Sequence, residues 1–371
     1  MQNVKLKNPY VRFAKGLVIT AAVLLAAAAV LTFVIDPFYH YHAPWFGLSA
    51  VQTKKEYQVP GALEHLSYNA VICGSSLVEN NDNAWYDQAF GVQSVKAVRS
   101  YGGVADLCWY LDLAFESHDV DMVFFNLDAF AITGSPKTTF EASGCPMYLY
   151  DDNALNDMQY LWNKTVLLED IPYMVIQSKQ GYDAGLSYNW AEGKNFSQAG
   201  ALSQYQRRKD VAPMEDESAE DADVSGNIAL LLKEVEQHPD TQFLFFLPPY
   251  SMLWWDDSQR AGLSEVYLHA EEEVMASLLS HDNVRVYDYQ TMTDVTCNLD
   301  RYMDTIHFDP EVNHTLCEDM AADYRGDGTS LYRVTAENLS AVMEKTRQCV
   351  EKGMETVIVP LEKSDAFLYA E

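Results

Sequence analysis

The chain has 371 residues, 48% of them hydrophobic, which is room for one large domain or two small ones with a sizeable core. Its formal net charge of −29 excludes nucleic acid as an expected partner, because phosphate binding needs a basic face. The acidic balance otherwise describes a solvated, self-repelling surface.

The first element is the uncharged run Leu17 to Ile35, LVITAAVLLAAAAVLTFVI. As a helix it spans a bilayer core of about 30 Å. Lys5, Lys7, Arg12 and Lys15 precede it and Asp36-Pro37 follows it. A cleaved signal peptide is the rival reading, with Ala26 to Ala29 offering a cleavage site. The apolar run continues to Ile35, however, which is longer than a usual signal core. The expected order is a cytoplasmic basic tail (1–16), a transmembrane anchor (17–35) and a stalk (36–66), with the rest outside by the positive-inside rule. Within the stalk, Phe38 to Phe46 is aromatic and suits a membrane–water interface. His40 and His42 admit a metal reading, to which the interfacial belt is preferred.

Strands and helices then alternate. Asn69–Cys73, Ser94–Arg99, Asp121–Leu127, Gln242–Leu247 and Asn283–Tyr287 read as short, continuously apolar strands, the fourth ended by Pro248-Pro249. Val104–Glu116, Glu311–Tyr324 and Ala336–Lys352 read as helices. This alternation predicts an α/β fold, a parallel sheet with helices on both faces. The domain is expected over 67–330 with an insertion at 130–225, followed by a helical extension at 331–371.

The insertion is rich in Tyr and Trp, including Tyr148, Tyr150, Tyr160, Tyr188 and Trp190, and runs into an acidic loop, Met214 to Asp223. It is placed to form a lid over the carboxyl edge of the sheet, where α/β folds bind ligands. Its aromatic rings suit stacking on sugars and core packing equally. Of six cysteines, Cys73 and Cys108 fall on core elements and act as small apolar residues. Cys145, Cys297, Cys317 and Cys349 are available to pair in an oxidising compartment, and the sequence does not choose among the pairings. There is no C-x-x-C motif, so no zinc site and no cofactor is expected.

Two distant segments carry the chemistry. Gly74-Ser75-Ser76-Leu77 ends the first strand, and Asp304-Thr305-Ile306-His307 precedes a helix. A serine hydroxyl is a weak nucleophile until a histidine takes its proton, and the histidine needs a carboxylate to fix its tautomer. The competing reading of Ser76 is a helix N-cap. If Ser76 is the nucleophile, a following helix N-terminus favours the developing negative charge, and the N–H groups of Ser76 and Gly103 lie near the oxyanion. His65, His118, His281 and His314 lack such context and read as surface or core residues.

These blocks resemble the SGNH/GDSL hydrolase superfamily over roughly Asn69 to Asp323. Gly74-Ser75-Ser76-Leu77 fits its Gly-Asp-Ser-Leu block with Ser75 in the Asp place, which implies Ser76 as nucleophile. Asp304 and His307 fit its D-x-x-H block, implying His307 as base and Asp304 as its orienter. Ser100-Tyr101-Gly102-Gly103 fits the second block, whose glycine, here Gly103, gives an oxyanion N–H. The third block, Gly-x-Asn-Asp, is altered to Phe125-Asn126-Leu127-Asp128. Asn126 is the candidate oxyanion amide, while strand alternation offers Asp128 in its stead; a carboxylate serves there only when protonated.

The resemblance implies a flavodoxin-like three-layer α/β/α fold. With the anchor it is similar to the membrane-bound branch that works beside multi-pass O-acyltransferases, such as the alginate acetylation and teichoic-acid D-alanylation factors. The implied function is acyl transfer to, or ester hydrolysis on, a cell-surface polysaccharide. The alternative is an inactive scaffold that binds the polymer or the acyltransferase, which the altered third block favours. The orientation is open to test: protease added to intact cells is expected to degrade the domain after Asp36. Full protection, with a control surface protein cleaved, would reverse the topology.

Overall fold

The computed structural model describes residues 9–370. Lys5 and Lys7 of the expected basic tail therefore lie outside the described residues. Helix α1 (Pro9–Ile35) begins eight residues before the uncharged run and includes Arg12 and Lys15. It is long and apolar enough to cross a membrane, and its sides are almost wholly uncovered by protein.

The segment expected as a stalk is docked instead. Phe38 and Tyr39 are buried, and α2 (Lys55–His65) packs its own Val59, Ala62 and Leu63 into the core. Asp36 explains the docking. Its carboxylate accepts the backbone N–H groups of His40, Tyr41 and His42 and the hydroxyl of Tyr160. The Tyr160 hydroxyl in turn accepts the N–H of Phe38. The aromatic stretch thus divides: Phe38 and Tyr39 enter the core, while Trp45 and Phe46 stay exposed. His40 sits on Asp157 and His42 stacks on Trp45.

The domain is built on β1 (Ala70–Gly74), β2 (Ser94–Val98), β3 (Met122–Asn126), β4 (Gln206–Arg207), β5 (Gln242–Leu247), β6 (Val284–Asp288), β7 (Arg333–Val334) and β8 (Leu368–Tyr369). The main sheet runs β2-β1-β3-β5-β6-β7, parallel except for β7, and β4 pairs with β8 separately. The five long strands lie within a residue or so of their expected positions. Their apolar runs follow from burial on both faces.

The sheet carries helices on both sides. The Cys73 thiol approaches the Leu107 carbonyl of α4 (Val104–Ser117), so that face of β1 and the Phe125 face of β3 lie under α4. On the opposite face Phe124 meets Tyr86 and Phe90 of α3 (Asn83–Phe90), which packs against the helix Pro310–Arg325. The C-terminal segment is no appendage: β7 completes the sheet, and Thr346 of the helix Leu339–Gly353 donates to the buried Asp288 at the end of β6. All six cysteines are free thiols, so none of the pairings open to Cys145, Cys297, Cys317 and Cys349 forms.

Gly61 lets α2 lie directly on the docked segment. A Cβ there would stand 2.5 Å from the Phe38 carbonyl oxygen and 2.6 Å from that of Tyr39. Backbone cannot yield as a side chain does. Gly61→Ala is therefore expected to lose about 1–2 kcal/mol despite the better helix propensity of alanine. Thermal unfolding in detergent should drop by several degrees, whereas Gly328→Ala, where nothing lies within 4 Å, should leave it unchanged.

Candidate active site

The parallel strands end together, and the turn after β1 carries Ser76. No helix follows directly. The next one, α3, starts at Asn83 and is capped by Asp82, whose carboxylate accepts the Ala84 N–H. Both the helix N-terminus expected behind Ser76 and its reading as an N-cap are corrected by this turn. Asn313 of the helix Pro310–Arg325 holds the turn by donating to the Leu77 carbonyl at 2.8 Å.

The Asp304–His307 segment reaches the same edge through a small loop closed by the Tyr302–Phe308 bridge and the Met303 N–H to His307 carbonyl bond. Tyr302 donates its hydroxyl to Pro249 and Ser251 donates to Thr305, which fastens the loop to the chain after β5. The three-residue spacing has a local cause. Asp304 Oδ1 accepts the N–H groups of Ile306 and His307, an Asx turn that leaves Oδ2 facing the ring.

Oδ2 lies 2.6 Å from His307 Nδ1, and His307 Nε2 lies 2.8 Å from Ser76 Oγ across 231 residues of sequence. With Nδ1–H donated to the carboxylate, Nε2 is left to accept the serine proton. Burial pushes the Asp304 carboxyl up. The His307 ring and the two N–H donors outweigh it and hold the group below the usual carboxylate range. The structure thus brings Ser76, His307 and Asp304 into one hydrogen-bonded line.

A cavity of about 480 Å³ opens on Ser76 and His307, walled also by Lys55, Glu79, Ser100, Tyr101, Trp190 and Lys194. Lys55 donates to Glu79 at 2.6 Å and to Ser100 at 2.7 Å. Tyr101 is held at φ 56°, an uncommon conformation for a bulky residue, and stands exposed at the rim. Among the described residues, the backbone N–H groups of Ser76, Ser100 and Tyr101 meet no acceptor.

Gly103 does not contribute the expected donor. It is the N-cap of α4, and its N–H is taken by the Asp106 carboxylate at 3.2 Å. Asn126 and Asp128 are absent from the cavity wall. Asn126 packs beneath Gly74, its amide nitrogen buried without a partner. Asp128 accepts the Tyr250 hydroxyl at 2.8 Å, and burial pushes it up to about 6.

The insertion does part of what a lid would do. Trp190 sets its ring edge-on to His307, 5.1 Å between centroids, and donates its indole N–H toward the Ser76 carbonyl. The backbone N–H groups of Trp190 and Ala191 both bond Asn80 Oδ1. Tyr150, Tyr160 and Tyr188 are buried and pack the core.

Lys96 was not anticipated. It is fully buried on β2 and donates to the carbonyls of Glu79, in the Ser76 turn, and Ser187, in the insertion. The signal was present: one lysine in the apolar strand SVKAV. A neutral amine has two N–H groups, enough for both carbonyls. Burial pulls the Lys96 ammonium down to about 7 from its ordinary 10.5. The unfolded chain then binds more protons between these values, so Lys96 adds stability above 10.5 that is lost as pH falls through 7. Unfolding of wild type and Lys96→Met in detergent checks this. The wild-type advantage should grow by more than about 1 kcal/mol from pH 7 to 9. A difference independent of pH would mean the amine stays charged in the fold.

Compared with models of known protein families the sequence matches none, and no curated protein matches it.

Proposed function

We propose that this chain is a membrane-anchored serine acyltransferase or ester hydrolase of SGNH type, acting on ester groups of a cell-surface polysaccharide. The observation that carries the reading is the Ser76–His307–Asp304 line, closed at 2.8 and 2.6 Å at the mouth of a cavity. The sheet supports it. Its five parallel strands run 2-1-3-4-5 when counted alone, the order of flavodoxin-like folds, and the site lies at their carboxyl edge.

His307 Nε2 takes the Ser76 proton as Oγ attacks the ester carbonyl. Asp304 holds the imidazolium that forms. The free N–H groups of Ser76, Ser100 and Tyr101 stabilise the oxyanion in place of Gly103. The intermediate expels the donor's alkoxide or thiolate, which takes the proton from His307, and Ser76 is left acylated. Water or a sugar hydroxyl then gives its proton to His307 and attacks the acyl carbon; the bond to Ser76 Oγ breaks, and the serine takes the proton back from His307. Hydrolysis and transfer differ only in that acceptor. Tyr101 and Trp190 offer ring faces to a sugar. A multi-pass O-acyltransferase is the partner that fits a site held at the membrane, with the domain extracytoplasmic.

The second reading is a scaffold that binds the polymer or the acyltransferase without turnover. The loss of the Gly103 N–H to Asp106 favours it. A serine-directed phosphonate separates the two. The enzyme should carry a covalent adduct on Ser76, and the scaffold none.

Ser76→Ala removes one hydrogen bond and is expected to change stability by at most about 1–2 kcal/mol. Polymer ester turnover should nevertheless fall by about three to four orders of magnitude. Asp304→Asn keeps the shape, loses the charge, and should be comparably severe. Ester content of the surface polymer at matched protein levels is the measurement. Unchanged content in both variants would leave the triad without a role and favour the scaffold.

A further inference from the structure

Helix α1 is joined to the domain along its side as well as at its end. Thr32 donates its hydroxyl to the Leu161 carbonyl, and the Trp162 indole donates to the Leu25 carbonyl at 2.8 Å. The short helix Met158–Leu161 and the turn Val166–Asp170 both pack on α1. The level of these contacts matters. Trp45 meets Phe33 edge-on beside the exposed Phe46, an aromatic pair suited to the interface. Leu25 lies eight residues further into the apolar run than Phe33, about 12 Å along the axis at 1.5 Å per residue. Sliding α1 by one whole turn, about 5 Å, still leaves Leu25 inside a core of about 30 Å. A part of the insertion therefore descends beside α1 to the depth of acyl chains.

That part has two apolar faces. Val166, Ile171 and Met174 point into the domain. Leu168, Tyr173 and Ile176 point away from it and are 65%, 45% and 50% exposed. Leu168 and Ile176, at i and i+8, share a side of the helical stretch. Leu155, Met158 and Trp162 extend the uncovered surface toward α1. Water is a poor neighbour for a patch of this size. The backbone is helical at 158–161 and 166–180, which satisfies its polar groups there as lipid requires, while Leu155 and Trp162 stand on the turns that flank the first of these helices. Lys164, Glu169 and Lys179 are exposed, with stems long enough to carry their charges to the headgroups.

We propose that the face formed by Leu155, Met158, Trp162, Leu168, Tyr173 and Ile176 is seated in lipid, in the leaflet nearest the domain. The occupant is the bilayer that surrounds α1, because the face continues the uncovered side of that helix. The protein thus has a second, interfacial membrane element, in the manner of an amphipathic helix lying about 5–10 Å below the headgroups. The proposal rests on α1 lying in a bilayer and is independent of the chemistry at Ser76.

The test places an environment-sensitive fluorescent amino acid at Leu168 or Ile176 of the full chain, in phosphatidylcholine nanodiscs with and without brominated acyl chains. Leu24, exposed on α1, is the positive control, and Gln348, exposed on the helix Leu339–Gly353, the negative one. Bromolipid is expected to quench both sites to at least half the extent at Leu24 and to spare Gln348. Quenching at Leu24 with neither site affected would overturn the proposal, keep the anchor, and leave the face to a partner protein. Loss of quenching at Leu24 as well would overturn the anchor and the lipid face together.

Discussion

The site depends on one amine that has no counter-ion. Among the described residues no carboxylate forms an ion pair with Lys96; its partners are the backbone carbonyls of Glu79 and Ser187, from segments over 100 residues apart. One belongs to the turn that presents Ser76. The other immediately precedes Tyr188, Asn189 and Trp190. The lysine rises from β2, so both segments share a foothold on the sheet. Asn80, equally buried, repeats the connection through the N–H groups of Trp190 and Ala191. Serine turn and insertion thus behave as one wall. A carbonyl left unpaired in this interior costs on the order of 1–3 kcal/mol, so removing the amine would strain both halves of the wall at once.

The parts legible in the sequence are those fixed by local chemistry. Strands buried on both faces must be apolar throughout, and β1, β3 and β5 announce themselves so. The D-x-x-H spacing is legible for the same reason, because Asp304 folds back on its own turn. What escaped depends on partners distant in sequence. Phe38 and Tyr39 have the composition of an interfacial belt and become core only because Tyr160, over 100 residues later, meets Asp36. Gly103 illustrates a different limit. Its N–H is spent three residues on, at Asp106, and a glycine followed by an acid at that distance is a capping pattern that weighed against a free donor.

Beneath the serine turn the polar groups are arranged behind the site rather than in it. Ser75 Oγ faces Asn126 Oδ1 at 3.5 Å and also caps the Leu77 N–H. Asp128 lies beyond, tied to Tyr250. A small hydroxyl at position 75 thus links the turn to the end of β3, where it also helps hold the buried Asp128 carboxyl down against the pull of burial. The carboxylate in direct contact with His307 is that of Asp304, with the buried Asp128 acting on the same ring from further off, while Lys55 pairs with Glu79 at the cavity wall.

The join at Asp36 has a consequence for how the protein meets other molecules. A flexible leash would let the domain sweep a hemisphere above its anchor, presenting the cavity at every height and angle. Four hydrogen bonds to one carboxylate, with Trp162 bracing the helix further down, make the anchor a bracket. Such a bracket, set in a bilayer, would carry the cavity at one elevation and one tilt. With α1 across a bilayer, as proposed, its search for anything held in the same plane would reduce to lateral diffusion and rotation about a single axis, and reach would be decided by the length of what comes to it.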